Sequence, residues 1–329
     1  MVVRLHYEAD PEKGLGPKTR VEDINMELSP WALKEYQGMQ DKALYRQEYE
    51  IDFEATQGAR VFYYDHAATM VTSKQMEADG IWPIPHHWTR WQGLDPHPRV
   101  PHAFLWCAVD PWGDRWYYRE YWPSKIYGKP GNPPEDDNRV LIKQYVQIVH
   151  FLESAENPEN RNQQEQIYRR VIDYSARAFG VATHDNERPI NADEDNYQET
   201  YEKLSRVVGK ETDWRMKFVD CKKDHESGIA LVNEGLKARE IEKDGNWVKR
   251  SRIHVVIDKC PELEYQMRTN RYPKLTPIQA DKMDPISDPI QKRRHQTDNM
   301  RYIENDKPRF IKQEVVRSDW RPMHKGVAY

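Results

Sequence analysis

The chain has 329 residues, with 50 lysines and arginines against 54 aspartates and glutamates, a formal charge of −4, and 38% hydrophobic residues. That is an ordinary soluble composition with material for a sizeable core, and its slightly acidic sum does not advertise a nucleic-acid protein. No apolar run approaches the roughly 18 residues needed to cross a bilayer. The N-terminal MVVRLHYEAD is charged where a secretion signal would be apolar, so no membrane association and a cytosolic location are expected. Cys107, Cys221 and Cys260 lack CxxC spacing and read as buried thiols. The histidines, including His86, His87, His97 and His102, show no HxxxH or HExxH metal spacing.

In chain order, VVRLHYEADP and a Gly/Pro stretch lead into a helical pattern from Ser29 to about Phe53, with Ser29 and Pro30 as cap and first turn. Residues 65–90, including GIWPIPHHW, are rich in turn formers and read as a linker. WQGLD, HAFLWCAVD and RWYYREYW then alternate as three strands, and the PWGD turn and short spacing imply an antiparallel meander. The rings from Trp106 to Trp122 belong first to the core and sheet faces. After a Pro/Gly-rich loop, Val140–Ala155 has helical apolar spacing, and IYRRVID reads as a strand. Arg177–Lys210 is a charged segment. MKFVDC (strand), GIALVNEGLKARE (helix), RIHVVID (strand) and the amphipathic HQTDNMRYI follow. The βββαβαβα succession describes an α/β fold, a mixed sheet flanked by helices with its first three strands antiparallel.

Three carboxylates carry the chemistry. Asp95 ends the first meander strand, Asp173 ends IYRRVID, and Asp298 lies in the last helix one turn after His295. Oxygen ligands gathered from distant segments suit magnesium or manganese. Two such ions, roughly 3.5–4 Å apart, can activate a water and stabilise a leaving 3′ oxygen at a phosphodiester. Asp258, at the end of RIHVVID, is a rival third ligand. His295 can touch a metal or orient water. Basic clusters at Lys222-Lys223, Lys249-Arg250-Ser251-Arg252 and Lys292-Arg293-Arg294 are candidate phosphate contacts. As a DNA-binding set these give Lys249, Arg250, Arg252, Lys292, Arg293 and Arg294.

The order of these acids resembles an RNase H-like sheet, and the flanking segments resemble the C-terminal nuclease domain of the large terminase subunit of tailed bacteriophages. YRQEYEIDFEATQGARVFY, residues 45–63, looks like the segment closing that family's ATPase domain. GLDPHPRVPHAFLWCAVDPWGDRWYYREYW is similar to its first nuclease strands. IDYSA resembles its second acid segment, with Tyr174 where serine is commoner. DCKKDHESGIALVNEGLKAREIEKDG and RIHVVIDKCPELEYQMRTNRY follow in the family's order. HQTDNMRY matches His-x-x-Asp-Ala-x-Arg-Tyr at His295, Asp298, Arg301 and Tyr302. Asn299 departs from the usual alanine, and Arg294 stands where many members carry another acid, which removes a fourth carboxylate.

The resemblance implies an endonuclease that cuts concatemeric double-stranded DNA with two magnesium or manganese ions on Asp95, Asp173 and Asp298. It also implies portal protein and small terminase subunit as partners, in the host cytoplasm and transiently at the procapsid portal. Residues 1–64 would be the end of an ATPase domain, 65–90 a linker, 91–306 the nuclease domain and 307–329 a tail. GLGPKT at Gly14–Thr19 is no Walker A loop, so no ATPase activity is expected of this chain. A resolvase- or transposase-type nuclease of the same fold, and a non-catalytic DNA- or portal-binding module, are the alternatives.

Overall fold

The computed structural model describes residues 11–21, 26–38, 60–97, 101–122, 141–177, 196–221, 224–243, 245–272 and 294–312. A small N-terminal unit pairs β1 (Thr19–Val21) with β2 (Met26–Leu28) beside α1 (Pro11–Gly14) and α2 (Pro30–Gly38). Ser29 caps α2 as its sequence suggests, its hydroxyl accepting from the Ala32 amide at 3.2 Å. The remainder of the helix expected up to Phe53 lies outside the described residues.

The main body is a seven-stranded mixed sheet. It comprises β3 (Met70–Val71), β4 (Thr89–Asp95), β5 (Ala103–Val109), β6 (Arg115–Tyr121), β7 (Ile167–Ile172), β8 (Phe218–Asp220) and β11 (Ile253–Val256), in the order β3-β11-β6-β5-β4-β7-β8. β4, β5 and β6 are antiparallel, whereas β7, β8 and β11 join through parallel pairs. This is the mixed α/β sheet with three antiparallel first strands expected from the strand pattern, with β11 and β3 added beside β6. A projecting hairpin of β9 (Arg239–Lys243) and β10 (Asn246–Arg250) precedes β11.

Side chains on successive strand residues point to opposite faces, and β5 divides accordingly. Leu105, Cys107 and Val109 enter one core with Met300, Ile303, Val232 and Leu263. Phe104, Trp106 and Ala108 enter the other with Tyr145, Val149, Tyr201 and Trp214. The first layer holds α7 (His225–Leu236), α8 (Pro261–Thr269) and α9 (His295–Asn305); the second holds α5 (Ile142–Glu153) and α6 (Tyr197–Val208). With both faces covered, the central strands are buried throughout, and so are all three cysteines. α9 lies close against its neighbours: a Cβ on Gly228 of α7 would fall 2.3 Å from Arg301 Cγ.

Several local expectations change. The stretch expected as a linker carries α3 (His66–Thr69), α4 (Ser73–Ala78) and the edge strand β3, which pairs with β11. The signals were present as an Asp65 cap and a Thr72/Gln75 capping box. Val61 and Phe62, placed by sequence in the N-terminal block, pack in the main core. Within the charged segment 177–210, α6 buries Tyr197, Tyr201 and Ser205 despite its polar exterior. The helix expected through Glu240 ends at Leu236, and Arg239–Glu240 enters the hairpin instead. At the start of the expected tail, Ile311 returns to the sheet, its amide donating to Thr89 Oγ1 at 2.8 Å.

Candidate active site

Parity along two neighbouring strands places the first two acids. In β4, Trp91 packs in the α9-side core and Leu94 in the opposite one; in β7, Val171 and Ile172 divide the same way. Asp95 is four residues beyond Trp91 and Asp173 two beyond Val171, so both fall on the α9 side. The strands run parallel with Leu94 opposite Ile172, and the Asp173 amide donates to the Leu94 carbonyl at 3.2 Å. The two carboxylates therefore leave adjacent strand ends, about 4.8 Å apart in the hydrogen-bonding direction. Pro96, with no N–H, stops β4 just past Asp95.

α9 supplies the other wall. His295, Asp298 and Tyr302 are three and four residues apart, which puts them on one helix face. His295 Nδ1 lies 2.6 Å from Asp95 Oδ2. The Tyr302 hydroxyl donates to Asp173 Oδ2 at 2.5 Å. Asp298 is held from both sides, by Arg294 Nε at 3.1 Å from Oδ2 and by Arg301 Nη2 at 3.1 Å from Oδ1. Asn299 fixes the helix to the sheet: its Nδ2 donates to the Ala103 carbonyl at 2.9 Å, and Ala103 is the residue opposite Asp95. A Cβ at Gly93 would lie only 3.0 Å from Asn299 Oδ1, so glycine lets helix and strand approach there.

The electrostatics agree that the acids converge. Burial pushes the Tyr302 phenol well up, and Asp95, Asp298 and Asp173 all push it further. Burial also raises Asp298, with help from Asp95, against the pull of Arg294 and Arg301. For His295, burial disfavours the imidazolium, yet the hydrogen bond and charge of Asp95, with Asp298 behind it, outweigh burial and raise the imidazole.

Hard oxygen donors suit magnesium or manganese, which bind through one or two carboxylates completed by water and phosphate. Asp95 and Asp173 fit that description. Among the described residues no three His, Cys, Asp or Glu side chains stand ready as an ion cage. Both Asp298 oxygens are engaged by guanidinium groups.

The rival Asp258 is elsewhere. It accepts from the Ser73 amide at 2.8 Å and from the Ser73 hydroxyl, and three strand spacings, about 14 Å, separate its strand from β4. Lys249 and Arg250 end β10 and Arg252 immediately precedes β11, which runs parallel to β4, so the cluster lies at the pole opposite Asp95. Arg250 pairs there with Asp114 at 2.7 Å, and Lys249 lies 3.9 Å from Asp65. Of the other basic residues, Arg294 stands at the acids, while Lys222, Lys223, Lys292 and Arg293 lie outside the described residues.

Further rings complete the wall. The His97 and Trp122 rings each lie 5.7 Å from that of His295. The only local signal for His97 is its place directly after Asp-Pro at the strand end. His102 lies deeper, its Nδ1 2.7 Å from the Tyr201 hydroxyl and its ring stacked on Tyr145. Burial, then the neighbouring His97, lowers it from 6.5 to about 3. The folded protein thus keeps His102 neutral while the unfolded chain takes up a proton. This contribution to stability is intact above about pH 6.5 and falls away towards pH 3, by at most about 1.4 kcal/mol per pH unit. His102→Gln is expected to narrow the gap between urea midpoints at about pH 7 and about pH 4.5; an unchanged gap would place that proton uptake elsewhere.

The fold and its clustered acids define a mixed α/β domain with carboxylates gathered at the C-terminal ends of its central strands. No family model matches the chain, and no curated protein sequence matches it. Among solved structures it is similar to the large terminase from a thermophilic bacteriophage, with 16% identity and a TM-score of 0.46 over 86% of this chain and 54% of that one. The same terminase in complex with ADP gives 15% identity and a TM-score of 0.46 over 84% and 52%. The nuclease domain of the P22 large terminase is similar at 12% identity, with a TM-score of 0.41, over 75% of this chain and 91% of that domain. This chain spans about half the length of the thermophilic phage protein.

Proposed function

We propose that this chain is a divalent-metal-dependent endonuclease that hydrolyses phosphodiesters of double-stranded DNA in a phage packaging motor. The observation that carries the reading is the pair Asp95 and Asp173 on adjacent parallel strand ends, with His295 bonded to the first. These carboxylates would hold magnesium or manganese, which when bound stabilises charge on the phosphate and lowers the pKa of water.

Hydrolysis joins the water oxygen to phosphorus and breaks the bond to the 3′ oxygen. One proton must leave the water and one must reach the leaving oxygen. His295, its ring fixed through Nδ1 by Asp95, is placed to move one of them through Nε2. Tyr302 orients Asp173, and Asn299 holds α9 at a fixed height over Asp95. Arg294 provides positive charge beside the acids for a phosphate.

Portal protein and small terminase subunit are proposed as partners, at the procapsid portal in the host cytoplasm. Incubation of the full chain with supercoiled plasmid and manganese is expected to give nicked and then linear DNA, and excess EDTA to stop it. Equal products with and without EDTA would sink the metal requirement. A strong preference for a four-way junction over plain duplex would favour the resolvase-type alternative.

A further inference from the structure

We infer that Arg294 takes the place of a second metal ion, so that this site binds one divalent cation and completes its charge with guanidinium groups. This rests on the endonuclease reading and specifies its cofactor count. Asp298 is not poised as a second ion's ligand. Arg294 grips Oδ2 and Arg301 grips Oδ1, both at 3.1 Å, and the side chains of Arg294, Arg301 and Asp298 are only 14%, 8% and 13% exposed. Pairs so withdrawn from water are weakly screened, and separating them exposes uncompensated charge. A second cation on Asp298 would have to displace a guanidinium or sit beside two.

Charge balance points the same way. Asp95, Asp173 and Asp298 with one substrate phosphodiester carry four negative charges. Arg294, Arg301 and a single divalent ion already carry four positive ones before His295 is counted, so a second ion would leave the site with an excess of at least two. The ion falls to Asp95 and Asp173, which are oriented by an imidazole and a phenol. Arg294 precedes α9, so its guanidinium reaches Asp298 from the helix entrance, four residues away.

The count is read by titrating the full chain with manganese alone and measuring free Mn2+ by electron paramagnetic resonance. One tightly bound Mn2+ per wild-type chain is expected. Arg294→Glu is expected to bind a second, Arg294→Lys to keep one, and Asp298→Asn still to bind one, with circular dichroism checking that each variant is folded. Two ions on the wild type, a count in Arg294→Glu that stays at one, or loss of the ion in Asp298→Asn would each overturn the inference while leaving a metal-dependent nuclease standing. No ion on the wild type would overturn both.

Discussion

Asp95→Asn is expected to cut manganese-dependent plasmid cleavage by about a thousandfold or more while leaving the fold intact. The change preserves size and removes one charge, and that charge serves two purposes. It belongs to the pair that would hold the cation, whose stabilisation of transition-state charge is worth several kcal/mol, and each about 1.4 kcal/mol is a tenfold rate. It also anchors the His295 ring at 2.6 Å. The fold should lose little, because an asparagine oxygen can still meet that ring and one of three clustered negative charges is removed. The measurement is the nicking rate beside the thermal unfolding midpoint. Undiminished nicking would remove Asp95 from the chemistry, and a collapsed midpoint would make its role structural.

Glu153→Ala is expected to be the more damaging change to the fold, costing about 3–5 kcal/mol of a total that is normally only about 5–15. Glu153 ends α5 and is completely buried. Arg170 grips it with two nitrogens, at 2.8 and 2.6 Å. The indoles of Trp106 and Trp214 donate at 2.9 and 2.7 Å, and Gln92 at 3.1 Å. Burial raises Glu153, but the charge and hydrogen bonds of Arg170 and the two indoles prevail and lower it from 4.5. Its contribution is therefore present above about pH 4.5 and lost as pH falls through its lower folded value. Alanine would leave the Arg170 charge and two indole donors buried without their shared acceptor. Urea denaturation near neutral pH reads the loss; a cost below about 1 kcal/mol would mean that water enters and replaces the carboxylate.

Glu153 also marks the edge of what was legible. The helix that carries it follows from the spacing of Tyr145, Val146 and Val149, yet no local pattern links its last acid to residues 17, 47 and 61 positions away. Asp95 and Asp173 were legible because each ends an alternating apolar run, and a strand end at the edge of a packed sheet is where a polar group meets a cleft. His295 and Asp298 were legible through helical spacing. Residues 65–90 misled, because β3 is only two residues long and its capped helices lie among turn formers. The Lys249–Arg252 cluster was clear in composition but silent about position: it leads from β10 into β11, so strand direction carries it away from the acids.

The amino-acid order alone determined the α/β class, the antiparallel meander, and which residues of a strand share a face, since these depend on periodicity among neighbours along the chain. Only the tertiary structure decided the composition of the site. Strand order set Asp173 beside Asp95 and put the strand leading to Asp258 three spacings, about 14 Å, from β4. The docking of α9 tied His295 to Asp95 and Tyr302 to Asp173. Burial around the start of that helix turned Asp298 from an apparently available ligand into a carboxylate shared by two arginines. Hydrogen bonds and ion pairs act over a few ångströms in space, and separation along the chain does not encode them.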